Sequence, residues 1–123
     1  MDVNLRSSFI LISFFKDLLK QSNGCVVNLS CEKGSRPDAG ALGYSMVKAG
    51  LEMLTKSVAL ELANFGVRVN AVAPSYVDTN LYRYSELDES DIKTLAANES
   101  QKTPLKRQYA GITAQTEVKQ RQA

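Results

Sequence analysis

Tyr44-Ser-Met-Val-Lys48 brings a phenol and an ammonium within four residues of each other. On a helix that spacing puts both groups on one face, within reach of a common ligand. A neighbouring cation favours phenolate and would bring a tyrosine's pKa toward operating pH, which suits it to exchange a proton with a substrate hydroxyl or carbonyl. Chance alone supplies about 0.4 such pairs in a chain of this composition, so the surroundings decide between chemistry and a solvated helix face. The chain has no histidine, which excludes acid–base work by imidazole and zinc sites built on it.

The elements that would position this pair follow from the hydrophobic pattern. Residues 3 to about 21 spread Val3, Phe9, Ile10, Leu11, Ile12, Phe14, Phe15, Leu18 and Leu19 around most of a helical wheel. Such a helix is expected to be covered on more than one side. Ser22-Asn23-Gly24 stops it, with Gly24 expected to supply the left-handed cap. Cys25 to Ser30 is a short apolar run with β-branched residues at its centre and reads as a buried strand of the parallel type. Residues 32 to 43 form a loop rich in Gly and Pro.

From there to Asn64 runs a second helix with Val47, Leu51, Leu54, Val58 and Leu62 as its core face. Met46, Ala49, Gly50, Met53 and Leu60 on the other side suggest a second buried surface. Residues 67 to 72 are a second strand, which Ala73-Pro74-Ser75 closes because proline cannot donate to a ladder. Helix, strand, helix, strand is the order of a doubly wound α/β sheet. Residues 81 to 101 are polar and predict one or two short helices over a cleft. Beyond Arg107, only Gly111 to Val118 has strand character.

Composition sets the outer bounds. At 123 residues, 44% hydrophobic and 23% charged, the chain has room for one modest core. Its formal charge is +2, and Lys106, Arg107, Lys119 and Arg121 against Glu117 give the last eighteen residues +3. Residues 1 to 105 therefore carry −1, which gives no footprint for nucleic acid. Cys25 and Cys31 lie about 20 Å apart on an extended segment at ~3.3 Å per residue, too far for a disulfide. They are expected to be free thiols in a reducing, cytoplasmic compartment. The apolar stretch Phe9 to Phe15 is broken by Lys16, Asp17 and Lys20 and falls short of the ~18 residues of a membrane span; neither a signal peptide nor a membrane segment is expected.

Several segments, in order and spacing, resemble the short-chain dehydrogenase/reductase family, C-terminal half. Asn4 in Asp2-Val-Asn-Leu5 is similar to the family's asparagine segment, and Tyr44-Ser-Met-Val-Lys48 to its tyrosine–lysine pair. Val26-Val-Asn-Leu-Ser-Cys31 resembles the strand that ends in the active-site serine, thirteen residues before the tyrosine. Val67 to Pro74, followed by Val77 and Thr79, resembles the strand and loop that hold the nicotinamide. The wording around Asn4, Tyr44 and Pro74 is most similar to the 3-oxoacyl-acyl-carrier-protein reductase-like branch.

The resemblance covers residues 1–107, with 108–123 a polar basic tail and remnant strand. It implies a partial Rossmann-like doubly wound parallel sheet and hydride transfer between NAD or NADP and a carbonyl or secondary alcohol. Tyr44 would be general acid/base, and Lys48 would assist it and hold the nicotinamide ribose. Asn4 would place a water in a proton relay; Pro74, Val77 and Thr79 would bind the nicotinamide amide. The implied partners are a small-molecule substrate and a second subunit, either another copy or a full-length homologue, since the two apolar helices correspond to the family's dimer surface. Asn4 as a helix-start residue and Thr79 as a helix cap stay open as alternatives.

Four departures from the family pattern bear on activity. Cys31 stands at the serine position and is a weaker donor, so it serves either residual catalysis or packing as a small hydrophobe. Ser30 points to the opposite face of the strand. Ser75 replaces a glycine after Pro74. No glycine-rich phosphate loop occurs, as the chain opens past the family's midpoint, and a helix between Leu105-Lys-Arg107 and the final strand is missing. The expectation is a truncated chain, inactive alone and marginally folded or in need of a partner, or else a non-catalytic interaction protein derived from the family.

Overall fold

The computed structural model describes residues 1–79, 88–102 and 109–110. They fall into two compact units, one built on residues 1–73 and one beginning at Pro74.

The first unit opens with a π-helical segment, Asp2–Arg6, that runs into helix α1, Ser7–Ser22. Strand β1 (Cys25–Leu29), helix α2 (Leu42–Leu62) and strand β2 (Arg68–Val72) follow. β1 and β2 pair in parallel, Cys25 opposite Arg68 through Leu29 opposite Val72. Two parallel strands need a crossover, and α2 supplies it. The observed architecture is thus the helix–strand–helix–strand order expected, a βαβ unit preceded by a helix.

The core lies between the helices and one face of this pair, where Ile12 of α1 and Val58 and Leu62 of α2 meet Val67 and Val69. The predicted core face of α2 is buried at Val47, Leu51, Val58 and Leu62. A buried hydrogen bond ties the layers together: Asn28 Nδ2 donates to Thr55 Oγ1 at 2.9 Å, and Thr55 Oγ1 donates to the Leu51 carbonyl at 2.7 Å.

Three expectations need correction. β1 is not buried on both faces. Asn28 and Ser30 turn inward, while Val27 and Leu29 are 63% and 66% exposed, because no described element covers that face. Neither helix is fully covered on a second side: Phe14 of α1 and Met46, Met53 and Leu60 of α2 are exposed among the described residues. The left-handed residue that ends α1 is Asn23 (φ 47°), not Gly24. Asparagine enters this region more readily than most residues. Gly24 follows with an ordinary φ, and a Cβ there would lie 2.9 Å from Leu19 Cδ2, a side-chain tip that can move aside. At the end of α2, Gly66 does take the left-handed conformation (φ 69°).

In the second unit, β3 (Val77–Asp78) pairs in parallel with β4 (Tyr109–Ala110). Helix α3 spans Glu89–Lys102. Asp88 Oδ1 accepts from the backbone N–H groups of Ser90 and Asp91, both at 2.9 Å, and caps it. These bonds, that from Asp91 foremost, hold the Asp88 carboxyl below its usual range. The predicted strand at 111–118, the missing helix and the segment 81–87 lie outside the described residues.

Candidate active site

Tyr44 sits in the first turn of α2 and Lys48 one turn later. The Lys48 Nζ lies 5.6 Å from the centroid of the Tyr44 ring. It also donates to the Leu29 carbonyl at 2.9 Å, which anchors it at the C-terminal end of β1. Lys48 is only 6% exposed, and it takes part in no salt bridge among the described residues. Burial pushes its pKa below the ordinary 10.5, and the negative form of Cys31 partly restores it. Tyr44 is 40% exposed, so its ring borders solvent. Phenol and ammonium thus share one face of α2, as their spacing implies, and the burial of the ammonium is a feature that spacing alone does not give.

Cys31 continues the extended backbone beyond β1 (φ −156°, ψ 152°) and starts a 3₁₀ turn, Glu32–Gly34. It is half-buried and free, and it interacts electrostatically with Lys48. Ser30 faces the other way, as strand alternation requires. Its side chain is buried against α2, with Oγ 3.3 Å from Glu52 Oε1 and 3.4 Å from the Lys48 carbonyl. The hydroxyl next to Cys31 is therefore committed to the scaffold.

Asn4 lies in the π-helical segment, a geometry frequent at functional sites. The segment packs on α2 at Gly50, where an added Cβ would come within 3.0 Å of Leu5 Cδ2. The Asn4 side chain is exposed and makes no hydrogen bond to another described residue. The first unit thus brings Tyr44, Lys48 and Cys31 together, with Asn4 on a neighbouring segment. Pro74, Val77 and Thr79 belong to the second unit, where Pro74 and Val77 are half-buried and Thr79 is exposed.

Four residues at or near the site escaped the reading of the sequence. Glu52 reaches the strand end; its signal is an acid one turn after Lys48 on a face otherwise turned inward. The Asn28–Thr55 pair had none, because 27 residues separate its members. Ser45, next to Tyr44, has a fully buried hydroxyl with no hydrogen-bond partner among the described residues. No group of three or more acidic or cysteine side chains gathers as metal ligands among these residues.

A family model described as enoyl-(acyl carrier protein) reductase matches residues 1–117, nearly the whole chain. The chain belongs to the short-chain dehydrogenase/reductase family. Among relatives in this family, a 3-oxoacyl-(acyl-carrier-protein) reductase of Synechocystis is 40% identical over 82 residues, 66% of this chain and 33% of that protein. One of Vibrio cholerae is 36% identical over 97 residues, 78% of this chain and 39% of that one. The chain thus spans little more than a third of the length of these relatives. A short-chain dehydrogenase/reductase of Caenorhabditis elegans, solved with its cofactor, superposes with a TM-score of 0.76 at 27% identity, covering 88% of this chain and 41% of that one. The fold is accordingly a partial Rossmann-like α/β unit of the short-chain dehydrogenase/reductase type, in the 3-oxoacyl-acyl-carrier-protein reductase-like branch. No described helix is long and apolar enough to cross a membrane.

Proposed function

We propose that this chain carries the proton-handling part of an NAD(P)-dependent oxidoreductase that interconverts a carbonyl and a secondary alcohol. The observation that carries the reading is the Lys48 ammonium, held nearly dry between the Leu29 carbonyl and the Tyr44 ring and coupled to Cys31. This donor set fits a nicotinamide nucleoside, whose ribose hydroxyls suit a fixed ammonium and an adjacent phenol. The bound nicotinamide supplies the hydride. Tyr44 exchanges the proton with the substrate oxygen, and Lys48 supports that exchange electrostatically and holds the ribose. Cys31 lies where substrate is polarised, and as a thiol it polarises weakly. Asn4 orders a relay water, and the backbone at Pro74 and Val77 with Thr79 binds the nicotinamide amide.

The sequence contains no glycine-rich phosphate loop, so the cofactor's pyrophosphate has no cradle within it. The chain by itself is expected not to hold cofactor tightly. Titration of the purified chain with NADH and NADPH, followed by nicotinamide fluorescence, should show no saturable binding in the micromolar range. Joined in frame to a glycine-rich βαβ half, the same chain should reduce a 3-oxoacyl thioester or a simple ketone. A well-folded fusion that binds NADPH and turns over no carbonyl compound overturns the oxidoreductase reading.

The exposed apolar sides of α1 and α2 favour a second reading, a non-catalytic dimerising protein of the same descent. A self-associating chain whose fusion stays inactive would decide for it. Residues 1–107 carry the family's half-domain in either case, with 108–123 as a polar tail.

A further inference from the structure

We propose that Glu52 is a positioning residue whose carboxylate clamps the turn presenting Cys31 and so holds the thiol beside the Lys48 ammonium. Its relevance to catalysis rests on the reading above; its geometry does not. Glu52 follows Lys48 by one helical turn, and its Oε1 lies 3.3 Å from Ser30 Oγ. The same oxygen is the atom nearest to a Cβ placed on Gly34, at 2.8 Å, with the backbone of Lys48 and Ala49 at 2.9 and 3.1 Å. One carboxylate oxygen therefore accepts from Ser30, just before the Cys31-Glu32-Lys33 turn, and occupies the space a side chain at Gly34, just after it, would need. The turn is closed on itself as well, since the N–H of Gly34 donates to the Cys31 carbonyl at 3.0 Å.

Without the carboxylate, Ser30 keeps on α2 only the Lys48 carbonyl, at a long 3.4 Å. Glu52 forms no salt bridge among the described residues, so this turn is the place where its carboxylate acts. Ser30 itself stays fixed to the sheet through its N–H, which donates to the Val72 carbonyl at 2.7 Å. The freedom released by losing Glu52 thus falls on the residues after Ser30, the first of which is Cys31.

A thiol assay reads this directly. In a Cys25→Ser background Cys31 is the remaining thiol, and its alkylation is measured with anionic iodoacetate and with neutral iodoacetamide at low ionic strength. A nearby ammonium favours the anionic reagent, so the ratio of the two rates reports how closely Lys48 accompanies Cys31. Glu52→Met, which keeps length but removes the acceptor, should lower the ratio by about two- to tenfold, the range of one lost hydrogen bond. Ser30→Ala should lower it likewise, and it tests the clamp even where the Met variant does not fold. Glu52→Gln retains an acceptor and should keep the parental ratio. Lys48→Met should lower the ratio in the parent and not further in Glu52→Met.

An unchanged ratio in Glu52→Met and Ser30→Ala, or an equal Lys48→Met effect in both backgrounds, overturns the clamp. So does a Gln variant that behaves like the Met variant. The assay needs neither cofactor nor substrate. An inactive fusion with the expected ratios removes the oxidoreductase reading and leaves the clamp, and an active one with indifferent ratios does the reverse.

Discussion

At Lys48, burial works against the charge that the reaction would use. Its folded-state pKa lies below 10.5, so between the two values the unfolded chain binds the extra proton, and stability climbs with pH across that window. Below the window the buried ammonium is a constant penalty. The melting temperature of the parent should therefore rise relative to that of Lys48→Met as pH approaches 10.5, read by circular dichroism. In the fusion described above, Tyr44→Phe should lower turnover by about 10²- to 10⁴-fold, the usual worth of a positioned acid–base group. Cys31→Ser should raise turnover, because a hydroxyl is the better donor; unchanged rates in both variants would remove the site assignment. Tyr44, Lys48 and Cys31 were legible because each is marked by residue type and spacing. Glu52 was not, since what it does depends on a turn eighteen residues earlier approaching α2 closely enough to exclude any side chain at Gly34.

The elements were legible wherever their periodicity is local. Both strands and the long second helix lie where the apolar pattern puts them, and β1 and β2 pair in parallel as that order implies. What the pattern does not encode is the partner of a face. The apolar run of β1 reads as buried on both sides, yet only its Asn28 and Ser30 side meets α2. That side carries the buried polar link between sheet and helix. Thr55→Val removes the acceptor of Asn28 Nδ2 and should cost about 1–3 kcal/mol in urea unfolding, as for a donor left buried without a partner. Replacing Asn28 by Leu in that variant should recover part of the loss. A cost below about 0.5 kcal/mol would mean that water replaces the bond.

Across the whole molecule, the first unit leaves large side chains in solvent: Phe14 at 79%, Met53 at 59% and Leu60 at 68% exposure. Large apolar side chains left in solvent in this number mark an interaction site or an aggregation liability where they adjoin. The chain is expected to self-associate in a concentration-dependent way by sedimentation velocity, and Phe14→Glu with Met53→Glu should shift it toward monomer. Unaltered sedimentation in the double variant would exclude these helices as the contact. The other exposed feature is the outer border of β1. The Ser30 N–H points to β2, so the Leu29 carbonyl, on the same peptide, points outward, and there the Lys48 ammonium meets it. A stray strand docking alongside β1 would have to evict a cation from its final rung. The residue proposed to assist the phenol thus also guards the border against polymerisation, and selection to keep that lysine would persist after all catalysis had been lost.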